Sequence, residues 1–227
     1  MKTKTVPRRT LGLPGGFTLI ELLTVMATVG ILAALLLPAV SRVQRCAGQV
    51  LCEKNLRQVN LAIRLYAQDF GEAFPVLPDP NPYPNGVGAY YKELVKGYVG
   101  LSGPPTPKEA VFICPSDRSI HLDALHAFGS YTFNGYEVDP LSLPRITGQK
   151  LDTLQNPARA VVVGEWTAFF GGSWHPRRAD AYPDAPNLLA FADGHQDLAK
   201  IYWDGLLGSE PRNYEPPSSY GYSWSGR

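Results

Sequence analysis

The sequence predicts an α+β protein: one long N-terminal helix followed by a small antiparallel sheet. Three observations carry this. Residues 16–40, GFTLIELLTVMATVGILAALLLPAV, hold a single charge, Glu21, in an apolar run of membrane length. Cys52, Leu56, Val59, Ile63, Tyr66 and Phe70 then recur at spacings of 4, 3, 4, 3 and 4, the stripe of an amphipathic helix. Beyond a Pro-rich break come short β-type runs, the clearest of them a hairpin around Asp193-Gly194.

The chain opens with MKTKTVPRRTLGLPGG, which holds Lys2, Lys4, Arg8 and Arg9 and no acid. Basic residues before an apolar span keep that end in the cytoplasm and place the rest on the far side. Conventional secretory signals have an apolar stretch of roughly 7–15 residues with the cleavage site after it. Here the run from Phe17 to Val40 is longer, and the small residues Gly15 and Gly16 precede it. Cleavage between Gly16 and Phe17 would leave the helix attached and give Phe17 a new α-ammonium. A lone carboxylate inside a membrane helix costs roughly 2.5–3.5 kcal/mol on insertion scales. The Phe17 ammonium of a neighbouring subunit would neutralise Glu21 and make both charges tolerable in an assembly. The competing reading is a plain signal anchor with an incidental acid. Pro38 lacks an N–H and crowds the carbonyl of Ala34, so a kink or local loosening is expected there.

The string GG-FTLIELL resembles the class III signal of type IV prepilins and type II secretion pseudopilins. The resemblance implies cutting after Gly16 by a prepilin peptidase and N-methylation of Phe17. It makes Glu21 the fifth residue of the mature chain. Pro38 falls where many pilins carry a helix-bending proline. It also implies a pilin-like fold, in which the long helix packs on a small antiparallel head.

Formal charge is +1 for the whole chain and +4 for the leader, which leaves −3 for the remainder. No basic stripe with interleaved aromatics is present, so no nucleic-acid partner is expected. The three cysteines, Cys46, Cys52 and Cys114, would face an oxidising compartment. Cys46 and Cys52 are offset by roughly 9 Å along one helix, too far to pair. Cys52 lies on the apolar stripe, so Cys52–Cys114 is the preferred bridge, with a plain buried Cys52 as the alternative. Cys46 is then free or available to a neighbouring subunit.

The helix is expected from Thr18 to about Phe70, with Gly71 as its stop. Five prolines in 71–88 make an ordered loop, and 89–99 a short helix closed by Gly100. VFICPSD (111–117) reads as a brief strand, SYTFNGYEV (130–138) as a strand or bulged strand, and AVVVGEW (160–166) as a buried strand. NLLAFA-DG-HQDLAKIYW (187–203) reads as a hairpin with a two-residue type I′ turn at Asp193-Gly194. The tail from Ser209, rich in Pro, Tyr, Ser and Gly, is expected on the surface or mobile. The predicted organisation is a leader at 1–16, a membrane and assembly half-helix at 17–40, an amphipathic half-helix at 41–70, a head at 71–208 and the tail at 209–227.

CEKNLRQ, FICPSD, SYTFNGY and LLAFADGH resemble a large family of pilin-like proteins whose heads end in an H-x9-DG signature. The signature histidine would fall at position 183, which is Pro183 here. His175 stands nearby in a longer loop as its possible replacement.

Histidines 121, 126, 175 and 195 and the acids Glu165, Asp180 and Asp193 supply raw material for catalysis, but no spacing fits a hydrolase, phosphate-loop or zinc pattern. No enzyme and no cofactor is expected. Calcium is the ion the pseudopilin resemblance would allow, with Asp193 and Asp197 as candidate ligands beside Asp180 and Asp184, but these acids lack an EF-hand-like arrangement and are read first as solvated turn acids with no metal. Trp166, Trp174 and Trp203 are read as core or as a ligand surface.

The function expected is therefore structural. The resemblance implies a pilin or pseudopilin, expected to be anchored in the inner membrane with its head outside the cytoplasm and assembled through its helix into a secretion pseudopilus or a type IV pilus-like fibre. Its expected partners are like subunits, the prepilin peptidase, an inner-membrane assembly platform and lipid. The alternative is a membrane-anchored adhesive or ligand-binding protein that borrows a prepilin-type anchor, with Tyr214, Tyr220, Tyr222 and Trp224 as its aromatic surface.

Overall fold

The computed structural model describes residues 16–76, 90–117, 128–135, 145–169, 172–175, 177–178, 183–203 and 215–227. Residues 1–15, where the leader is expected, residues 77–89 of the Pro-rich stretch, His121, His126, Asp180 and Tyr214 lie outside the described residues. Two compact units are present, one ending at Gln44 and one running from Arg45 to the C-terminus.

Helix α1 spans Leu19–Asp69, 51 residues, and contributes to both units. In the first unit its large apolar side chains, among them Leu19, Leu23, Ile31, Leu35 and Leu37, are exposed. Among the described residues it is the one helix long and apolar enough to cross a membrane. Helical assignment is unbroken at Pro38, and the Ser41 hydroxyl donates to the Pro38 carbonyl at 2.9 Å. Thr24 and Thr28 donate to the carbonyls of Glu21 and Val25 at 3.0 and 2.9 Å, so neither hydroxyl needs water.

In the second unit the predicted stripe is buried at Cys52, Leu56, Val59 and Ile63 and partly buried at Tyr66, but Phe70 is exposed. The helix has ended there. Gly71 and Glu72 both take positive φ, and the Glu72 N–H donates to the Ala67 carbonyl at 2.7 Å, which turns the chain away. Phe70 instead stacks on Tyr66 with ring centroids 4.3 Å apart.

The head sheet has four antiparallel strands in the order β1 (Tyr131–Phe133), β2 (Val161–Glu165), β5 (Ala185–Phe191), β6 (Gln196–Ile201). A separate two-stranded ribbon pairs β3 (Ser173–Trp174) with β4 (Arg177–Arg178). Period-two alternation along β5 divides the core. Leu188 and Ala190 join the cluster that contains Cys52, Leu56, Val59 and Ile63 of α1. Leu189 and Phe191 join a second cluster with Phe169, Ile201, Tyr222 and Trp224. Helix α1 therefore covers one face of the sheet, and the C-terminal segment with the turn at Trp166–Phe169 covers the other. A short helix α2 (Tyr91–Val95) continues as a 3₁₀ turn to Val99 and closes at Gly100 with φ +76.

Three sequence expectations are corrected. The segment 111–117 is not a strand: Ala110–Phe112 form a 3₁₀ turn and Ile113 is extended. The carbonyls of Ala110 and Ile113 each accept the Asn55 side-chain amide of α1 at 2.9 Å, so they are taken from any ladder.

The β5–β6 connection is not a two-residue type I′ turn. The Gly194 N–H donates to the Phe191 carbonyl at 2.9 Å and the Phe191 N–H to the His195 carbonyl at 3.0 Å, a three-residue loop. Only Gly194 takes positive φ, at +100, whereas a type I′ turn needs it at both central residues. Gly194→Ala is expected to cost about 1–3 kcal/mol through that backbone strain. An added Cβ would also run into the Arg64 guanidinium, displacing its 3.1 Å bond to the Asp193 carbonyl. Thermal melts of the variant head check this.

The tail is the third correction. Within 215–227, Tyr222, Ser223 and Trp224 are buried, and Ser223 pairs with Ala160 beside β2. The Asn134 amide donates to the carbonyls of Val161 and Trp224 at 2.8 and 2.7 Å, tying the tail to the sheet. Aromatic residues that look like surface in the sequence are the second half of the core.

Candidate functional site

Two places gather the residues singled out above. The first is the start of α1. The Thr18 N–H and hydroxyl both donate to Oε2 of Glu21, at 2.8 and 2.7 Å, and the Glu21 N–H approaches Thr18 Oγ1 at 3.3 Å. This is a capping box, the T-x-x-E pattern in which N-cap and N3 side chains satisfy each other's amides. Glu21 thus has a local partner as well as the intersubunit one the sequence suggests. The pattern is legible in TLIE, where the lone charge draws attention away from it. Gly16 and Phe17 precede the helix in exposed, irregular chain.

The second is a buried cluster in the head. Cys52, on the sheet-facing side of α1, forms a disulfide with Cys114, just beyond the 3₁₀ turn. Their Cα atoms are 4.8 Å apart, within the range a disulfide spans. Glu165 ends β2 and shares the face of Val163, which points its carboxylate at the disulfide. It is fully buried, as are both cysteines. Oε2 accepts the Leu188 N–H at 3.0 Å, and Oε1 lies 2.9 Å from Nε2 of His175. A carboxylate only accepts, so the imidazole N–H is the donor.

His175 follows β3 and is nearly buried. Its backbone N–H donates to Ser173 Oγ at 2.9 Å, and the Ser173 hydroxyl donates to the Pro186 carbonyl. Sγ of Cys114 stands 3.6 Å from Glu165 Oε1 and 3.7 Å from His175 Nε2. A disulfide sulfur has no hydrogen, so these are packing contacts. Tyr131, opposite Glu165 in the sheet register, donates its hydroxyl to the Cys52 carbonyl at 3.0 Å. Burial, with the Glu165 charge beside it, pushes that phenol well above its usual pKa.

Neither protein-family models, nor curated proteins, nor solved structures give any match to this chain. What the two clusters can do follows from their own chemistry.

The remaining candidate residues do not converge. Asp193 Oδ1 lies 2.6 Å from His195 Nδ1 in an exposed pair, and the His195 ring stacks on Phe191. Asp197 is exposed on β6, and Asp184 Oδ1 accepts the Tyr220 hydroxyl at 2.9 Å. Among the described residues these aspartates belong to no metal-capable group; the one such group is Cys52, Cys114, Glu165 and His175. Trp174 is core, Trp166 packs against it, and Trp203 is half-buried. Cys46 is exposed and free.

Glu165 and His175 look like unconnected raw material in the sequence. The usable signal is an acid closing an otherwise apolar strand, AVVVGEW, since a buried carboxylate demands a partner. His175 has no local signal beyond its nearness to the expected H-x9-DG position.

Proposed function

We propose that this chain is a fibre subunit of the pilin or pseudopilin type, cut after Gly16, N-methylated at Phe17 and assembled through α1. The observation that carries the reading is the first half of α1: an uncovered apolar helix whose one charge, Glu21, sits a turn from the proposed new N-terminus. Such a helix needs lipid before assembly and other helices after it. The basic leader orients it with the N-terminus in the cytoplasm. The prepilin peptidase, an inner-membrane platform and identical or homologous subunits are the partners this reading requires. Tyr222 and Trp224 are buried, so they supply no adhesive surface for the alternative reading.

The capping box makes Glu21 testable in two ways. Glu21→Gln keeps a side chain that can cap the helix but removes the charge, whereas Glu21→Ala removes both. If the acid pairs with a neighbour's ammonium, both variants are expected to fall about tenfold or more in fibre incorporation, since about 1.4 kcal/mol per pair already gives that factor. Incorporation of Glu21→Gln at the natural level would leave only a capping role and overturn the ion pair. Intact-mass measurement checks processing independently: loss of residues 1–16 and gain of one methyl are expected, and a mature chain starting at Met1 would sink the reading.

A further inference from the structure

The geometry of the buried cluster points to a second use for it. We propose that with Cys52 and Cys114 reduced, Cys52 Sγ, Cys114 Sγ, His175 Nε2 and Glu165 Oε1 form a closed four-ligand zinc site. The head then has two alternative cross-links at one place, a disulfide or a thiolate-bound divalent metal.

The separations already present are close to those of a tetrahedral site. With Zn–S near 2.3 Å and Zn–N and Zn–O near 2.1 Å, the edges should be about 3.6 Å from sulfur to either oxygen or nitrogen and about 3.4 Å from nitrogen to oxygen. The observed values are 3.6 Å from Cys114 Sγ to Glu165 Oε1, 3.7 Å to His175 Nε2, and 2.9 Å between Oε1 and Nε2. All four ligand atoms lie within 4.8 Å of one another. Two changes are required once the disulfide is broken: the Oε1–Nε2 pair opens by about 0.5 Å, and Cys52 Sγ moves to about 3.8 Å from Cys114 Sγ and about 3.6 Å from Oε1 and Nε2.

The donor set suits the ion. Two soft thiolates, one imidazole and one carboxylate match the borderline character of zinc and leave no position open, as in structural sites. The outer shell is in place too: Leu188 N–H holds the free oxygen of Glu165, and Ser173 holds the backbone of His175. The ligands come from α1, the turn at Cys114, the end of β2 and the segment after β3, so the metal would tie together four segments of the head.

No external electron donor is needed, because a newly made chain carries both thiols reduced. Binding deprotonates the two thiols and releases both protons to solvent, the ring proton that His175 directs from Nε2 to Glu165 moves to Nδ1 so that neutral Nε2 is free to coordinate, and the zinc stays divalent. Later exchange with an external disulfide would move two electrons to it as two thiols, close Cys52–Cys114 and expel the metal.

The test uses the full chain in detergent, carrying Cys46→Ser to remove the exposed third thiol. It is reduced anaerobically with a phosphine, which leaves as its oxide after taking oxygen from water. Titration with cobalt(II) is expected to give one equivalent of an intense tetrahedral visible spectrum with a thiolate charge-transfer band, bleached by zinc. The oxidised chain should give none. His175→Gln is expected to weaken binding about tenfold or more and to shift the visible bands, with far-ultraviolet circular dichroism unchanged. A folded, reduced chain with only an octahedral cobalt spectrum would overturn the proposal, as would a tetrahedral spectrum indifferent to His175→Gln. If reduction melts the head, zinc must restore its near-ultraviolet dichroism; failure to do so also overturns it.

Discussion

Replacing both bridged cysteines, Cys52→Ala with Cys114→Ala, is expected to destabilise the head by about 4 kcal/mol. The bridge spans a sequence separation of 62, and the chain-entropy relation for a loop of that size returns about that value at room temperature. In a unit of this size the loss corresponds to a melting temperature lower by roughly 8–16 °C. Both side chains are fully buried and small, so little cavity cost is added. Thermal unfolding of the detergent-solubilised chain, followed by near-ultraviolet dichroism, measures it. A loss under about 1 kcal/mol would show that the native chain does not depend on this bridge.

Removing the acid beside the bridge should cost as much. Glu165→Ala is expected to destabilise the head by about 2–6 kcal/mol, at about 1–3 kcal/mol for each of the two buried donors it leaves without an acceptor. Both oxygens are committed, one to the Leu188 amide and one to the His175 ring, so truncation strands two buried polar groups at once. Glu165→Gln keeps an acceptor for the Leu188 N–H and is expected to lose less than half as much. Urea midpoints for the two variants decide it. If Glu165→Ala shifts stability by no more than Glu165→Gln, the carboxylate is not organising His175 and Leu188.

Short-range features are legible in the residues themselves. The limits of α1 are readable to one residue at each end, because a polar N-cap, a 3.6-residue apolar period and a glycine at the stop all act over one or two turns. Strands β2, β5 and β6 are visible from β-branched and apolar runs around a Gly-containing turn. The turn type is not, because Asp-Gly fits two loop lengths and the backbone ladder from Phe191 to His195 selects between them. The strand expected at 111–117 fails because Asn55, on a different element, binds the carbonyls of Ala110 and Ile113 at the two sides of the Ala110–Phe112 turn. Composition misleads at the tail: Pro, Ser, Gly and Tyr suggest a surface segment, yet the exposed face of the sheet needs a cover and Tyr222 and Trp224 provide it.

By itself the sequence determined the uncovered helix, its lone acid, the glycine pair before it and the stripe that carries α1 into the head. Each is written in residues a few positions apart. Only the tertiary structure decided that Cys114 stands against Glu165 and His175, which are 51 and 61 residues further along the chain. No periodicity links residues so distant. They meet because α1, the ordering of β2 beside β5, and the Ser173 anchor on β5 bring four apolar-flanked polar atoms into one dry space, where each must find a partner among the others.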